Sequence, residues 1–238
     1  MYSLLLTPAI MIPFQNPTIF FGTLRIDEPI SVLTDVILCA ICFYAFYKTK
    51  SLSTYKAINL YRWFFLLTGV STIVSAVVGH AFLYYFGVDA KIYGWLFGIS
   101  GITCAQFAAI YNTRLILGNF VFKRLVFINS LGVIAAFIAV FISWSFVVVE
   151  IHGAFGLLLN VTILEYINYK KTGSPLSIKV IYGIGLAVVA VLCHIFQFAY
   201  SVWFNHIDLS HVFMALSMYV IYRGICLHEE ITPSFRSI

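Results

Sequence analysis

Charge is scarce in this sequence: Asp, Glu, Lys and Arg make up 10% of its 238 residues, whereas 62% are hydrophobic. A soluble domain of this size carries about 25% charged residues. So few charges cannot cover a water-facing surface, and they suit a chain whose belt is lipid. No basic run with interleaved aromatics is present, which excludes a nucleic-acid partner. No CxxC pair sits in a loop. Cys39, Cys42, Cys104, Cys193 and Cys226 all fall in or beside apolar segments, so buried thiols are expected rather than a disulfide framework. The stretch from Met1 to Phe21 lacks a basic leading region and is broken by Pro8, Pro13 and Pro17. It does not read as a cleaved signal peptide, and is expected to lie along the membrane surface or to cap a bundle. There is no internal repeat.

Apolar segments of spanning length fill the remainder. About 20 mostly apolar residues cross the hydrocarbon core, and seven segments qualify: about Pro29 to Tyr47, Leu60 to Phe86, Ile92 to Leu117, Leu125 to Ile142, Phe146 to Tyr166, Ile178 to Phe204 and Ile207 to Leu227. The expected fold is an all-α integral membrane protein, a seven-helix transmembrane bundle. Pro29 suits a helix start, where its missing N–H is an orphan anyway. Lys171-Thr-Gly-Ser-Pro175 is the clearest breaker.

Basic residues are unevenly distributed. Lys48, Lys50, Lys56 and Arg62 cluster at the first connection, Arg114, Lys123 and Arg124 at the third, and Lys170, Lys171 and Lys179 at the fifth. The even connections offer only Lys91, and the tail carries Arg223 and Arg236. The positive-inside rule then predicts cytoplasmic odd connections and C-terminus, with the N-terminus outside. The expected division is an extracytoplasmic segment 1–28, a transmembrane domain 29–228 and a cytoplasmic tail 229–238.

Ionisable residues at membrane depth are expensive and default to a functional reading. Glu28 and Asp35 lie at the outer start of the first helix, His80 near the outer end of the second, and Glu150 and His152 at the outer start of the fifth. His206, Asp208 and His211 lie at the outer start of the seventh, and His194 about ten residues inside the sixth. Only His228 lies elsewhere, in the tail. Glu28, Ser31 and Asp35 fall on one helical stripe, as do His194, Gln197 and Ser201; Asp208 and His211 share a face. Taken singly, His152 and His194 read as packed residues, Glu150 as interfacial, and Asp208 as a cap accepting the His211 N–H. Together, imidazoles and carboxylates from separate helices suit a transition metal such as zinc, with further carboxylates orienting the rings. A proton relay or a polar substrate cavity would use the same residues.

This pattern, one histidine near the outer end of helix two and two at the outer start of helix seven, resembles the CREST superfamily of seven-helix membrane hydrolases, which includes the alkaline ceramidases and the progestin and adipoQ receptors. The resemblance implies a zinc ion held by His80, His211 and His206, a helix-three aspartate near Asp89, and an N-out orientation. Two departures stand out. The helix-seven spacing is HxxxxH rather than HxxxH, and Ala76, not serine, stands one turn before His80, with Ser75 one position off. Asp208, on the His211 face, is the alternative to His206 as a ligand. The segment from Phe204 to Gly224 also resembles uncharacterised bacterial membrane proteins, which makes a bacterial inner membrane the expected location. A retinal-binding reading is excluded, because no lysine lies between Ile207 and Leu227.

The leading expectation is therefore a zinc-dependent hydrolase acting on a lipid-like amide or ester that enters from the membrane. Asp35 or Asp89 would be base or support, and Glu28, His152, His194 and Gln197 would line the polar cavity. The rival is a receptor or transporter that uses the same cluster for ligand binding or proton relay.

Overall fold

The computed structural model describes residues 17–231, with side chains as far as 227. Positions 1–16, His228 and the tail segment 229–238 therefore lie wholly or largely outside the described residues. Two short antiparallel strands come first, β1 (Thr18–Phe21) and β2 (Leu24–Asp27), paired so that Phe21 faces Leu24 and Thr18 faces Asp27. Glu28 then turns the chain in a left-handed conformation, φ 47°. Helix α1 (Pro29–Lys48) begins directly on Pro29, as the sequence predicts.

Helix α2 (Lys56–Val74) continues into a π-helical stretch, Ser75–Ala81, before a single turn α3 (Leu83–Phe86). Helix α4 (Lys91–Asn112) is followed by α5 (Arg114–Ser143), which is broken at Gly118, φ 74° and ψ 163°. Helix α6 (Val147–Gly153) runs through a second π-helical stretch, Ala154–Val161, into α7 (Thr162–Thr172). Gly173, φ 67°, closes α7, and Ser174 caps α8 (Pro175–Ile195) by accepting the Ser177 N–H at 3.4 Å. Helix α9 (His206–Ile231) completes the bundle.

Seven of the resulting helical runs are long and apolar enough to cross a membrane. The distribution of burial is that of a membrane protein. The most apolar run, Arg114–Ser143, is also the least buried, with 17% of its window inside the protein against 50% for Lys56–Ala81. In water that ordering would be reversed; facing lipid it carries no penalty.

Two boundaries differ from the sequence reading. The third connection is the short break from Thr113 to Gly118, so Lys123 and Arg124 lie inside α5. Glycine supplies the positive φ that ends the turn there. The sixth helix stops at Ile195, and the chain from Phe196 to Asn205 is irregular, with Gln197 at φ 52°. Hydropathy continues across this stretch through Phe196, Phe198, Tyr200, Val202 and Trp203, so composition alone could not locate the stop.

The larger apolar core lies towards the lysine-rich end, built on Leu38, Tyr61, Phe65, Ile110, Leu176 and Ile225. Helices α8 and α9 approach closely at Gly183, where a Cβ would stand 2.5 Å from Ile221 Cγ1 and 3.1 Å from the Ser217 carbonyl oxygen. Small residues permit such contacts between spanning helices. Gly183→Val should lower stability by about 1–3 kcal/mol through overpacking. Gly185→Ala, which has nothing within 4 Å, should keep or slightly raise it, because alanine is the better helix former. Thermal unfolding of the two variants side by side in detergent checks this; equal midpoints would remove the close packing from the account.

Candidate functional site

Helix α1 presents Ser31, Thr34 and Asp35 to the bundle interior, all buried, and Glu28 is buried immediately before it. The expected Glu28–Ser31–Asp35 stripe is therefore present, and Asp35, 1% exposed, faces inward rather than to lipid.

Three residues from three helices converge. Asp35 on α1, His80 in the π-helical end of α2 and His211 on α9 each turn one ligand-type atom to within 4.8 Å of the others. His211 Nε2 stands 3.5 Å from Asp35 Oδ1, and His80 Nε2 stands 3.7 Å from Asp35 Oδ2. The opposite nitrogens are held from behind. His80 Nδ1 contacts the Glu28 carboxylate. His211 Nδ1 lies 3.0 Å from Thr34 Oγ1, whose own proton goes to the Ser31 carbonyl at 3.0 Å. Thr34 therefore accepts from His211 Nδ1–H, and Glu28 can only accept from His80 Nδ1–H while ionised.

Where Nδ1 carries the proton on both rings, each Nε2 turns a lone pair towards the Asp35 oxygens. Four acceptor atoms then share a buried space, and Asp35 Oδ2 finds no hydrogen-bond partner among the described residues. Such an arrangement can be satisfied by a shared proton or by a metal ion between the acceptors. Separations of 3.5 and 3.7 Å are close to the roughly 3.4 Å between neighbouring ligands around a tetrahedral ion with bonds of about 2.1 Å.

The remaining sequence-predicted residues fall into distinct places. Asp208 is buried, but both its oxygens are used: Oδ1 accepts from Ser31 Oγ at 2.6 Å and Oδ2 from the Asn205 N–H at 2.7 Å. It ties α9 to α1 and caps the chain entering α9, accepting from Asn205 rather than from His211. His206 opens α9 and stacks near His194, ring centroids 5.3 Å apart, outside the three-residue cluster. His194 lies in the last turn of α8, not deep within it. Gln197 is exposed beyond the end of α8, so the expected His194–Gln197–Ser201 stripe does not form. Asp89 is exposed in the single 3-10 turn Val88–Ala90 and takes no part in the cluster. Glu150 is exposed, in keeping with an interfacial position. His152 Nε2 packs against Thr103 Oγ1 at 3.1 Å, the satisfied histidine that was expected of it.

Two features escaped the sequence reading. The first is Ser75, dismissed because a 3.6-residue period turns it away from His80. The π-helical stretch Ser75–Ala81 carries i→i+5 spacing, which turns position 75 towards the side of position 80. The second is Glu165, completely buried at the lysine-rich end. It accepts from Tyr61 Oη at 2.7 Å, Asn112 Nδ2 at 2.9 Å and Ser177 Oγ at 2.5 Å. A single carboxylate in an apolar segment was the available signal, but its three partners are spread over α2, α4 and α8.

Comparison with known proteins places the chain in a family. Residues 30–229 match the model of a family of unknown function, DUF6962. The chain belongs to that family. The matched range takes in the seven spans, short only of Pro29, and includes Asp35, His80 and His211. No curated protein and no solved structure matches the chain.

Proposed function

We propose that this DUF6962 protein is a metal-dependent membrane hydrolase, with Asp35, His80 and His211 holding a zinc ion. The observation that carries the reading is the convergence of two imidazole Nε2 atoms on a buried carboxylate with one oxygen lacking a hydrogen-bond partner among the described residues. Imidazole nitrogen with carboxylate oxygen is a zinc-type donor set, and three protein ligands leave a position open. When bound, the ion supplies a Lewis acid that can polarise a carbonyl and activate water.

The protein's own residues do the rest. Glu28 and Thr34 orient the two rings, as carboxylate and hydroxyl partners do behind ligating histidines. Asp208, through Ser31, fixes α9 against α1 so that His211 meets Asp35. The site resembles the CREST arrangement in drawing on helices two and seven. It differs in taking its third ligand from helix one, which makes His206 a neighbour rather than a ligand. The substrate class that fits is a lipid-like amide or ester, entering from the bilayer. The lysines and arginines gathered at the opposite end of the bundle support an N-out orientation, with the site in the outer half.

The orienting role is tested with Glu28→Gln and Thr34→Val. Each should weaken zinc binding by ~10–100-fold while the helices still fold. Competition against a fluorescent chelator gives the affinity, and wild-type affinity in both variants would contradict the arrangement.

A further inference from the structure

The strand pair before α1 ends in an apolar tip that the bundle does not cover. Phe20, Phe21 and Leu24 are 67%, 65% and 47% exposed, around a turn at Gly22. A two-stranded hairpin is marginal in water by itself, so something must steady this one. Its base is held by the protein: the Tyr84 hydroxyl donates to the Arg25 carbonyl at 3.2 Å, and the Arg25 guanidinium lies 4.8 Å from the Tyr84 ring centroid. Tyr85 and Phe86 extend the exposed aromatic surface at the same end. This end is where the first two spans leave the apolar layer, a level at which aromatic side chains favour the lipid headgroup region.

Charge does not explain the tip. Arg25 is already paired with Asp27 through Nε–Oδ1 at 2.8 Å and Nη2–Oδ2 at 3.1 Å, and Thr18 Oγ1 donates to the same carboxylate at 2.7 Å. Burial pushes the Asp27 carboxyl up, but the Arg25 and Thr18 hydrogen bonds outweigh it and hold the group below its usual range. The pair therefore stays formed and offers little net attraction to anionic lipid.

We infer that the hairpin is a lipid anchor, with Phe20, Phe21 and Leu24 seated in the headgroup interface of the adjoining leaflet by apolar contact. β2 runs directly into Glu28, which touches His80, so the anchor steadies the carboxylate behind one ring of the polar cluster. The inference needs no metal and stands apart from the hydrolase reading.

The test uses the full chain in lipid nanodiscs. Phe21→Trp adds one tryptophan, read by difference from wild type in brominated phosphatidylcholine. Bromines high on the acyl chain should quench the added emission more than deep ones, equally with or without anionic lipid. An unquenched, water-like emission overturns the anchor, as does quenching that requires anionic lipid. The double variant Phe20→Ser/Phe21→Ser should also raise amide hydrogen exchange over residues 18–27 at least tenfold in nanodiscs, with helix exchange unaltered. Unchanged exchange in the hairpin would likewise overturn it.

Discussion

Alanine at His80 or at His211 should each empty the proposed site, lowering zinc affinity by more than the ~10–100-fold expected for an orienting partner. Each ring supplies one of only three protein ligands, and no third imidazole joins the cluster among the described residues. His206→Ala and His194→Ala should retain zinc, because that pair stacks with itself outside the cluster. Asp208→Asn should fall between, since it disturbs the Ser31 contact that seats α9 on α1 but removes no ligand. Isothermal titration with zinc across the five variants orders them. If His206→Ala lost zinc while His80→Ala kept it, the assignment of ligands would be wrong.

The second large effect lies at the other end of the bundle. Glu165→Ala should destabilise the protein by about 3 kcal/mol or more, because each buried donor left without its acceptor costs about 1–3 kcal/mol. The Tyr61 hydroxyl, Asn112 and Ser177 would lose their common acceptor, and the network also holds Asn168, which donates to Ser177 at 2.8 Å. Tyr61→Phe should cost less, about 1.5–3 kcal/mol for one hydrogen bond to a charged group. Because both residues act on the same contact, the double variant should be markedly less than additive. Unfolding in mixed detergent micelles measures all three, and a Glu165→Ala loss below about 1 kcal/mol would show that the network does not hold α2, α4, α7 and α8 together.

The fold was legible in the sequence because the bilayer sets a length that each apolar segment must meet, and all seven do. Proline at position 29 and Gly-Ser-Pro at 173–175 marked true boundaries, since each acts through local backbone chemistry. Where hydropathy continued past the helix, as from Phe196 to Trp203, the boundary was misplaced. The site was legible in part. Glu28, Asp35, His80 and His211 were singled out because ionisable groups at membrane depth are rare enough to count, although Asp35 was expected as base or support rather than beside the two rings. Periodicity then misled at two points. It assumed 3.6 residues per turn, which the π-helical stretch Ser75–Ala81 does not follow, so the relation of Ser75 to His80 was misjudged. It also placed Gln197 on a helix that had already ended. Asp208 was read as a cap on the His211 N–H or as a ligand in place of His206, but its partners, Ser31 and the Asn205 N–H, depend on how α1 and α9 meet. Glu165 passed unnoticed for the same reason, because its donors come from helices distant in sequence.

The most direct test of the proposed metal site is the zinc content of the wild-type chain, purified without chelator, washed gently with a weak one and measured by elemental analysis against protein concentration. The account predicts one zinc per chain, falling to none in His80→Ala and His211→Ala. A wild-type protein that holds no metal after exposure to zinc would contradict it, and the convergent acceptors would then share a proton instead of an ion.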